Sequence, residues 1–274
     1  MAKKTTKKDK RILVKKDGHI AWMIFNRPDV LNAMMIETWA LMDRLLAELG
    51  EDKKIRCLIM TGEGRAFMAG ADIADLKRHN RMIKEGKLSG ADLRDMVHIA
   101  QSTSRRVQSL NFPVIAAVNG YAVGAGCEVA IGCDLVVADE TAKFGFPEVT
   151  VGACITNAGT FLLPRKVGLS RAKRLAFTGE FIDTKEAYRI GLVDEIAPKG
   201  KVRQVAEKLA RRIASRAPVV VQLHKTMLDR AQESSLEMAL AMETESVVAS
   251  MLTEDLQEGS TAFFEKREPK FKGR

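Results

Sequence analysis

Two glutamates and two turns of small residues are the parts of this 274-residue sequence that could do chemistry. Glu128 follows Gly124-Ala125-Gly126-Cys127, and Glu148 ends Phe144-Gly145-Phe146-Pro147-Glu148. Each stands beside small or apolar residues, where burial raises a carboxyl pKa. One group to take a proton and one to give a proton is what adding water to a double bond needs. Taken singly, plainer readings compete. Glu128 could complement a helix N-terminus, worth roughly 0.3–1 kcal/mol, and Glu148 could be a surface loop residue. The turns weigh against that. Arg65–Ile73 and Asn119–Glu128 each follow an apolar, strand-like stretch, carry small residues and open a helix. Small side chains let a ligand approach the backbone, and the first N–H groups of a helix lack partners within it. Two such turns face to face would give two N–H donors to one carbonyl oxygen, an oxyanion hole suited to a thioester. Gly124-Ala125-Gly126 also fits the opening of a dinucleotide fingerprint. Glu128 argues against it, because a carboxylate in that helical turn would repel a pyrophosphate.

These residues need strands and helices to bring them together, and the hydrophobic pattern supplies them. Ile20–Phe25, Cys57–Met60, Val114–Val118 and Leu135–Ala138 read as apolar strands bounded by turn residues. Met34–Leu49 has helical spacing and stops at Gly50, and Gly124–Ile131 opens another helix. Leu76–Leu110 reads as a long polar helical region broken near Gly86–Gly90. Beyond Pro164 the pattern is mainly helical, over Ser170–Phe177, Thr184–Ile190, Lys201–Arg216, Pro218–Gln232, Leu236–Leu252 and Glu254–Lys266. Strands alternating with helices, then helices alone, predict an α/β core with a C-terminal helical region. The divisions are a basic flexible tail at 1–16, a core at 17–200 and a helical region at 201–274.

Composition narrows the function. The balance of 46% hydrophobic and 29% charged residues is that of a globular protein. The net charge of +9 suggests nucleic acid until it is located: Met1–Lys16 holds eight basic residues against Asp9, so the body is nearly neutral. No apolar run is long enough for a membrane span, and no signal-peptide pattern opens the chain. Cys57, Cys127, Cys133 and Cys154 lack CxxC spacing and read as reduced thiols, which implies a cytoplasmic protein. His19, His79, His98 and His224 are scattered, so no metal is expected.

Several stretches in order resemble the enoyl-CoA hydratase/isomerase (crotonase) family. They are AFMAGADI (Ala66–Ile73), PVIAAVNGYAVGAGCEVAIGCDLVVA (Pro113–Ala138), FGFPE (Phe144–Glu148) and EGSTAFFEKREPKF (Glu258–Phe271), with NRPDVLNAM (Asn26–Met34) in support. The resemblance runs from about Ile12 to the C-terminus. It implies a spiral of ββα units with a C-terminal helical region, assembled as a homotrimer or homohexamer. It further implies oxyanion N–H groups on Ala71 and Ala125, and Glu128 and Glu148 as the acid/base pair. The backbone of Ala66, Phe67, Met68, Ala69 and Gly70 would hold the adenine end of coenzyme A. Lys266 would reach a CoA phosphate, or else be a solvated lysine on a charged helix. An acyl-CoA is then the substrate, with no separate cofactor, no membrane and no nucleic-acid partner.

Carrying both glutamates favours 2-enoyl-CoA hydration over isomerisation, or over hydrolysis or cleavage of a cyclic oxoacyl-CoA. RNA binding, shown by some relatives through a lysine-studded helix, is disfavoured because Met34–Leu49 carries Glu37, Asp43 and Glu48 against Arg44. Two departures from the hydratase pattern stand out. Thr156 and Asn157 bring polar groups where small backbone is usual, which makes them, with Phe146, candidates for the water site or acyl pocket. The segment Asp72–Pro113 is longer than in short-chain hydratases. Its Met82, Ile83, Leu88, Leu93, Met96 and Val97 could surround an acyl group, although plain helix packing is the reading favoured for most of them.

Overall fold

The computed structural model describes residues 9–274. Ile12–Asp17 (β1) and Ile20–Phe25 (β2) form an antiparallel hairpin, and a short 3-10 turn at Pro28–Val30 leads to Ile36–Gly50 (α1). A repeating unit follows. Cys57–Gly62 (β3) and Ala66–Met68 (β4) precede Ile73–Lys84 (α2) and Gly90–Ser109 (α3). Val114–Val118 (β5) and Tyr121–Val123 (β6) precede Ala125–Gly132 (α4). Leu135–Asp139 (β7) and Lys143–Gly145 (β8) precede Gly159–Val167 (α5) and Leu169–Thr178 (α6). Phe181–Asp183 (β9), Thr184–Arg189 (α7) and Glu195–Ala197 (β10) close the core. Val202–Ala214 (α8), Pro218–Ala231 (α9), Leu236–Met251 (α10) and Glu254–Glu265 (α11) complete the chain.

Each unit gives its first strand to one sheet and its second to another. The large sheet has the order β1-β2-β3-β5-β7-β10, and the small one β4-β6-β8-β9. That is the spiral of ββα units. Pairing is parallel from β2 through β10 and from β4 through β8. Both faces of the large sheet are covered at its centre, so β3 and β5 are buried along their whole length rather than at alternate residues. Leu58, Met60, Val114, Ala116 and Val136 face the main core, while Cys57, Ile59, Ile115, Ala117 and Val137 face α8. The period-two alternation of strand side chains produces this division.

The helix α8 corrects the boundary drawn at residue 200. Its Val202, Ala206, Ala210 and Ala214 form a buried stripe against Ile59, Ile115 and Val137. Alanines at successive turns let the helix lie close to the sheet, and without it that face would be open to water. The tail drawn to residue 16 is likewise too long. Ile12–Asp17 is a strand with Ile12 in the core, because Ile12 pairs with Phe25 and its side chain joins the apolar layer. The part of that tail before residue 9 lies outside the described residues. Beyond Pro164, two short strands, β9 and β10, interrupt the helices. Among the described residues no helix is long and apolar enough to cross a membrane.

Candidate active site

The parallel pairing of β4, β6 and β8 assembles the site. Parallel neighbours end on the same edge, so the segments leaving these strands emerge side by side. They are Ala69-Gly70-Ala71, Gly124-Ala125 and Phe146-Pro147-Glu148. Val123 pairs with Gly145, and the Gly124 N–H donates to the Gly145 carbonyl at 2.9 Å. The short strands that orient the site therefore also bring Glu148 next to the turn that opens α4.

The two small-residue turns touch. A Cβ placed on Gly70 would stand 3.7 Å from the Ala125 nitrogen and 3.9 Å from Gly124 Cα. Gly70 (φ +86°) and Gly124 (φ +55°) both occupy backbone conformations that other residues rarely adopt. Ala125 is the first residue of α4, so its N–H has no partner within the helix. Ala71 bridges Met34 through bonds made by its neighbours: Met34 N–H donates to Gly70 C=O at 2.8 Å, and Asp72 N–H to Met34 C=O at 3.0 Å. The Ala71 N–H itself takes no part in that bridge. Asp72 pins this turn from the far side. It caps α2 by accepting from Ala74 N–H at 2.9 Å and pairs with Arg27 at 2.9 Å.

Glu128 sits in the first turn of α4 and is buried, at 1% exposure. Its Oε1 accepts from the N–H groups of Asn157 (2.6 Å), Gly159 (3.0 Å) and Thr156 (3.2 Å). Burial pushes its pKa up to about 7. The N–H donors on Oε1 oppose the rise, and the nearby Glu148 charge adds to it. Glu148 is half-buried, and burial raises its pKa as well. Its Oε1 lies 3.2 Å from where a Cβ on Gly124 would be, and its Oε2 is buried without a partner. Gly159 must be glycine for Glu128 to be held this way, since a Cβ there would meet Glu128 Oε1 at 2.7 Å.

The structure thus brings Glu128, Glu148, Gly70, Gly124, Ala125, Thr156 and Asn157 together. Phe67 and Met68 are fully buried, so only their backbone could meet a ligand, and Ala66 is buried too. Phe67 packs edge-on against Phe25 at 5.4 Å. Phe146 is buried beneath Glu148 in the chain, at 1% exposure. Lys266 is exposed just past α11 (φ +55°), and no described hydrogen bond or ion pair joins it to the glutamates. None of the acyl-pocket candidates from Asp72–Pro113 is fully buried. Met82, Leu88, Leu93 and Met96 are only half-buried, and Ile83 and Val97 are exposed, because α2 and the first half of α3 lie on the surface. A cleft of about 720 Å³ between α3 and the 155–162 segment is lined by Gln101, Ser104, Arg105, Thr156 and Phe161 among others, and by neither glutamate.

Sequence reasoning missed the N–H cradle around Glu128. Its one signal is Gly159, a lone glycine after Ala158, which takes a left-handed conformation (φ +66°) and turns three amides toward the carboxylate.

Known proteins resemble this chain along nearly its whole length. The enoyl-CoA hydratase/isomerase family matches residues 15–274. The short-chain-enoyl-CoA hydratase of Clostridium acetobutylicum is 39% identical over 257 residues, 93% of this chain and 95% of that protein. The 2,3-dehydroadipyl-CoA hydratase of Escherichia coli is 38% identical over 266 residues, 96% and 99% of the two chains. A crystal structure of an enoyl-CoA hydratase from Bacillus anthracis matches with a TM-score of 0.89 at 33% identity, covering 96% of this chain and all of that one. By sequence and by fold, this chain belongs to the enoyl-CoA hydratase/isomerase family.

Proposed function

We propose that the protein is an enoyl-CoA hydratase that adds water across the 2,3 double bond of an enoyl-CoA thioester. The observation that carries this reading is the contact of the two turns at Gly70 and Ala125 beside two carboxyl groups whose pKa values burial has raised. In this reading the N–H groups of Ala71 and Ala125 bind the thioester oxygen and draw electron density from the β-carbon. Glu128 takes a proton from water as its oxygen bonds to that carbon. The enolate then collapses, and Glu148 delivers its proton to the α-carbon. Glu128 ends with one proton more and Glu148 with one fewer, and exchange with solvent restores the pair after product leaves.

The backbone of Ala66–Gly70 is taken to hold the adenine end of coenzyme A, and Lys266 to meet a phosphate. Coenzyme A enters as part of the substrate, and no separate cofactor is proposed. Two relatives of nearly equal identity are named for different acyl groups, short-chain enoyl and 2,3-dehydroadipyl. Acyl choice therefore rests on the residues around the site rather than on overall similarity. A homotrimer or homohexamer is the assembly we expect, supported by exposed Met251, Leu252, Phe263 and Phe264 on the last two helices and the turn joining them. Four free thiols fit a cytoplasmic setting.

Glu148→Gln tests the reading. Hydration of crotonyl-CoA, followed as a product one water heavier, should be abolished while binding of the CoA ester stays nearly intact. A fully active variant would end the assignment.

A further inference from the structure

Segment 155–159 holds more than the amides that grip Glu128. Asn157 is wholly buried, at 0% exposure, and neither its Nδ2 nor its Oδ1 has a hydrogen-bond partner. A buried carboxamide without partners is strongly unfavourable, so its two polar atoms call for a bound molecule, whether water or ligand. Its backbone is fixed on both sides. The N–H donates to Glu128 Oε1 at 2.6 Å, and the C=O accepts from Ser104 Oγ at 3.1 Å. Thr156 and Ala158 line the open cleft, whereas Asn157 between them is enclosed, with its backbone N–H on Glu128. Among the described residues, the one other buried side-chain polar atom without a partner is Glu148 Oε2. All three orphaned atoms belong to the residues that bound one site.

We propose that the Asn157 carboxamide holds the oxygen that adds to the β-carbon, first as water and then as the 3-hydroxyl of the product. This rests on the roles given above to Glu128 and Glu148. The chemistry of the orphaned pair selects the partner. Nδ2 can only donate and Oδ1 can only accept. A carbonyl would leave Oδ1 unpaired, and an ammonium group would leave Nδ2 unpaired. An aliphatic acyl chain would satisfy neither. The thioester oxygen is already assigned to two main-chain N–H groups. In hydration, the entering oxygen is the group that can both give and accept. The residue whose N–H holds the base is also well placed to hold the water which that base deprotonates.

Two reactions separate this role from a structural one. Hydration of crotonyl-CoA needs the bound water. Exchange of the α-hydrogens of butyryl-CoA in D2O needs the oxyanion hole and Glu148, but no oxygen at the β-carbon. Asn157→Ala should lower kcat for hydration about ten- to hundredfold, the size expected for one hydrogen-bonding group on a reacting atom. KM and the exchange rate should stay nearly unchanged. Equal losses in both reactions would mean that Asn157 only supports the loop or a static water, and no loss in either would mean that it is idle; each overturns the proposal. If the alanine variant does not fold, Asn157→Ser carries the same comparison. Glu148→Gln, run alongside, should stop both reactions. If it stops neither, the fault lies in the roles given to the glutamates.

Discussion

Replacing Glu128 by glutamine should make the folded protein respond differently to pH, and the size of the change follows from its surroundings. Burial raises the Glu128 pKa from 4.5 to about 7, even with three N–H groups on Oε1 favouring the charge. Below the unfolded value, near 4.5, the group is protonated in both states and contributes no difference. Between 4.5 and about 7, the unfolded chain releases the proton while the folded chain keeps it, so stability falls as pH rises. Above the folded value the loss is complete and stays constant. Each pH unit in this window carries about 1.4 kcal/mol, so the whole loss approaches about 3 kcal/mol. Glutamine has the same shape and does not titrate. The difference in unfolding free energy between variant and native protein should therefore move toward the variant by about 3 kcal/mol between roughly pH 4 and pH 8. Urea unfolding at intervals across that range, with equal slopes in both proteins, measures it. A difference that stays flat would refute burial as the origin of the shift. One that moved against the variant would refute its sign. The same variant should no longer hydrate crotonyl-CoA.

Gly159→Ala should push the Glu128 carboxylate out of place, because the new methyl meets Glu128 Oε1 and Ile155 Cγ2 at 2.7 Å. Steady-state kinetics should show a fall in kcat, and urea unfolding a loss of about 1–3 kcal/mol. Gly126→Ala should cost more, about 3 kcal/mol or above, because its methyl would lie 2.0 Å from the Met68 carbonyl oxygen, and backbone cannot step aside as a side chain can. Lys225 on α9 pairs with Asp134, which also accepts from the Val114 N–H at 2.7 Å where β5 begins. Lys225→Met leaves that carboxylate without its cation and should destabilise by about 3 kcal/mol, most of which Asp134→Asn in the same chain should recover. Glu148→Gln removes the neighbouring charge that helps raise the Glu128 pKa, so the Glu128 titration, followed by carboxyl NMR, should move below about 7.

The long strands and the helices were legible because their length lets a period show. Val114–Val118 has five buried residues between Pro113 and the Asn119-Gly120 turn, and α8 to α11 repeat apolar or small residues over three or more turns. The strands β4, β6 and β8 were not legible. Three residues carry no period, so Ala66–Met68 reads as an apolar patch and Tyr121–Val123 as the continuation of a turn. They are strands because their neighbours pair with them, and that pairing is a property of the assembled spiral. The site depends on these elements, which is why its residue types could be named from sequence while its contacts could not. Helix α5 shows the same limit: it starts after Ala158 in a left-handed conformation, with no side-chain cap to announce it.

Asn157 marks the boundary between what sequence can flag and what it can locate. A polar residue in a stretch that is usually small could be seen from its type alone. Its burial could not, because Thr156 beside it is exposed and Ala158 after it turns the backbone through a left-handed conformation. Local pattern gives the same reading for a solvated loop asparagine and for an enclosed one with both polar atoms unpaired. Only the packing of α3 and α4 around the segment separates the two. Where folding encloses a polar group and leaves it unmatched, hydrophobic burial nearby must offset a cost that the group itself never recovers in the unliganded protein. A bound molecule that supplies what the fold withholds removes that cost. That makes the unpaired atoms of Asn157 and Glu148 stronger markers of the reacting oxygen and carbon than the open cleft lined by Thr156 and Ala158.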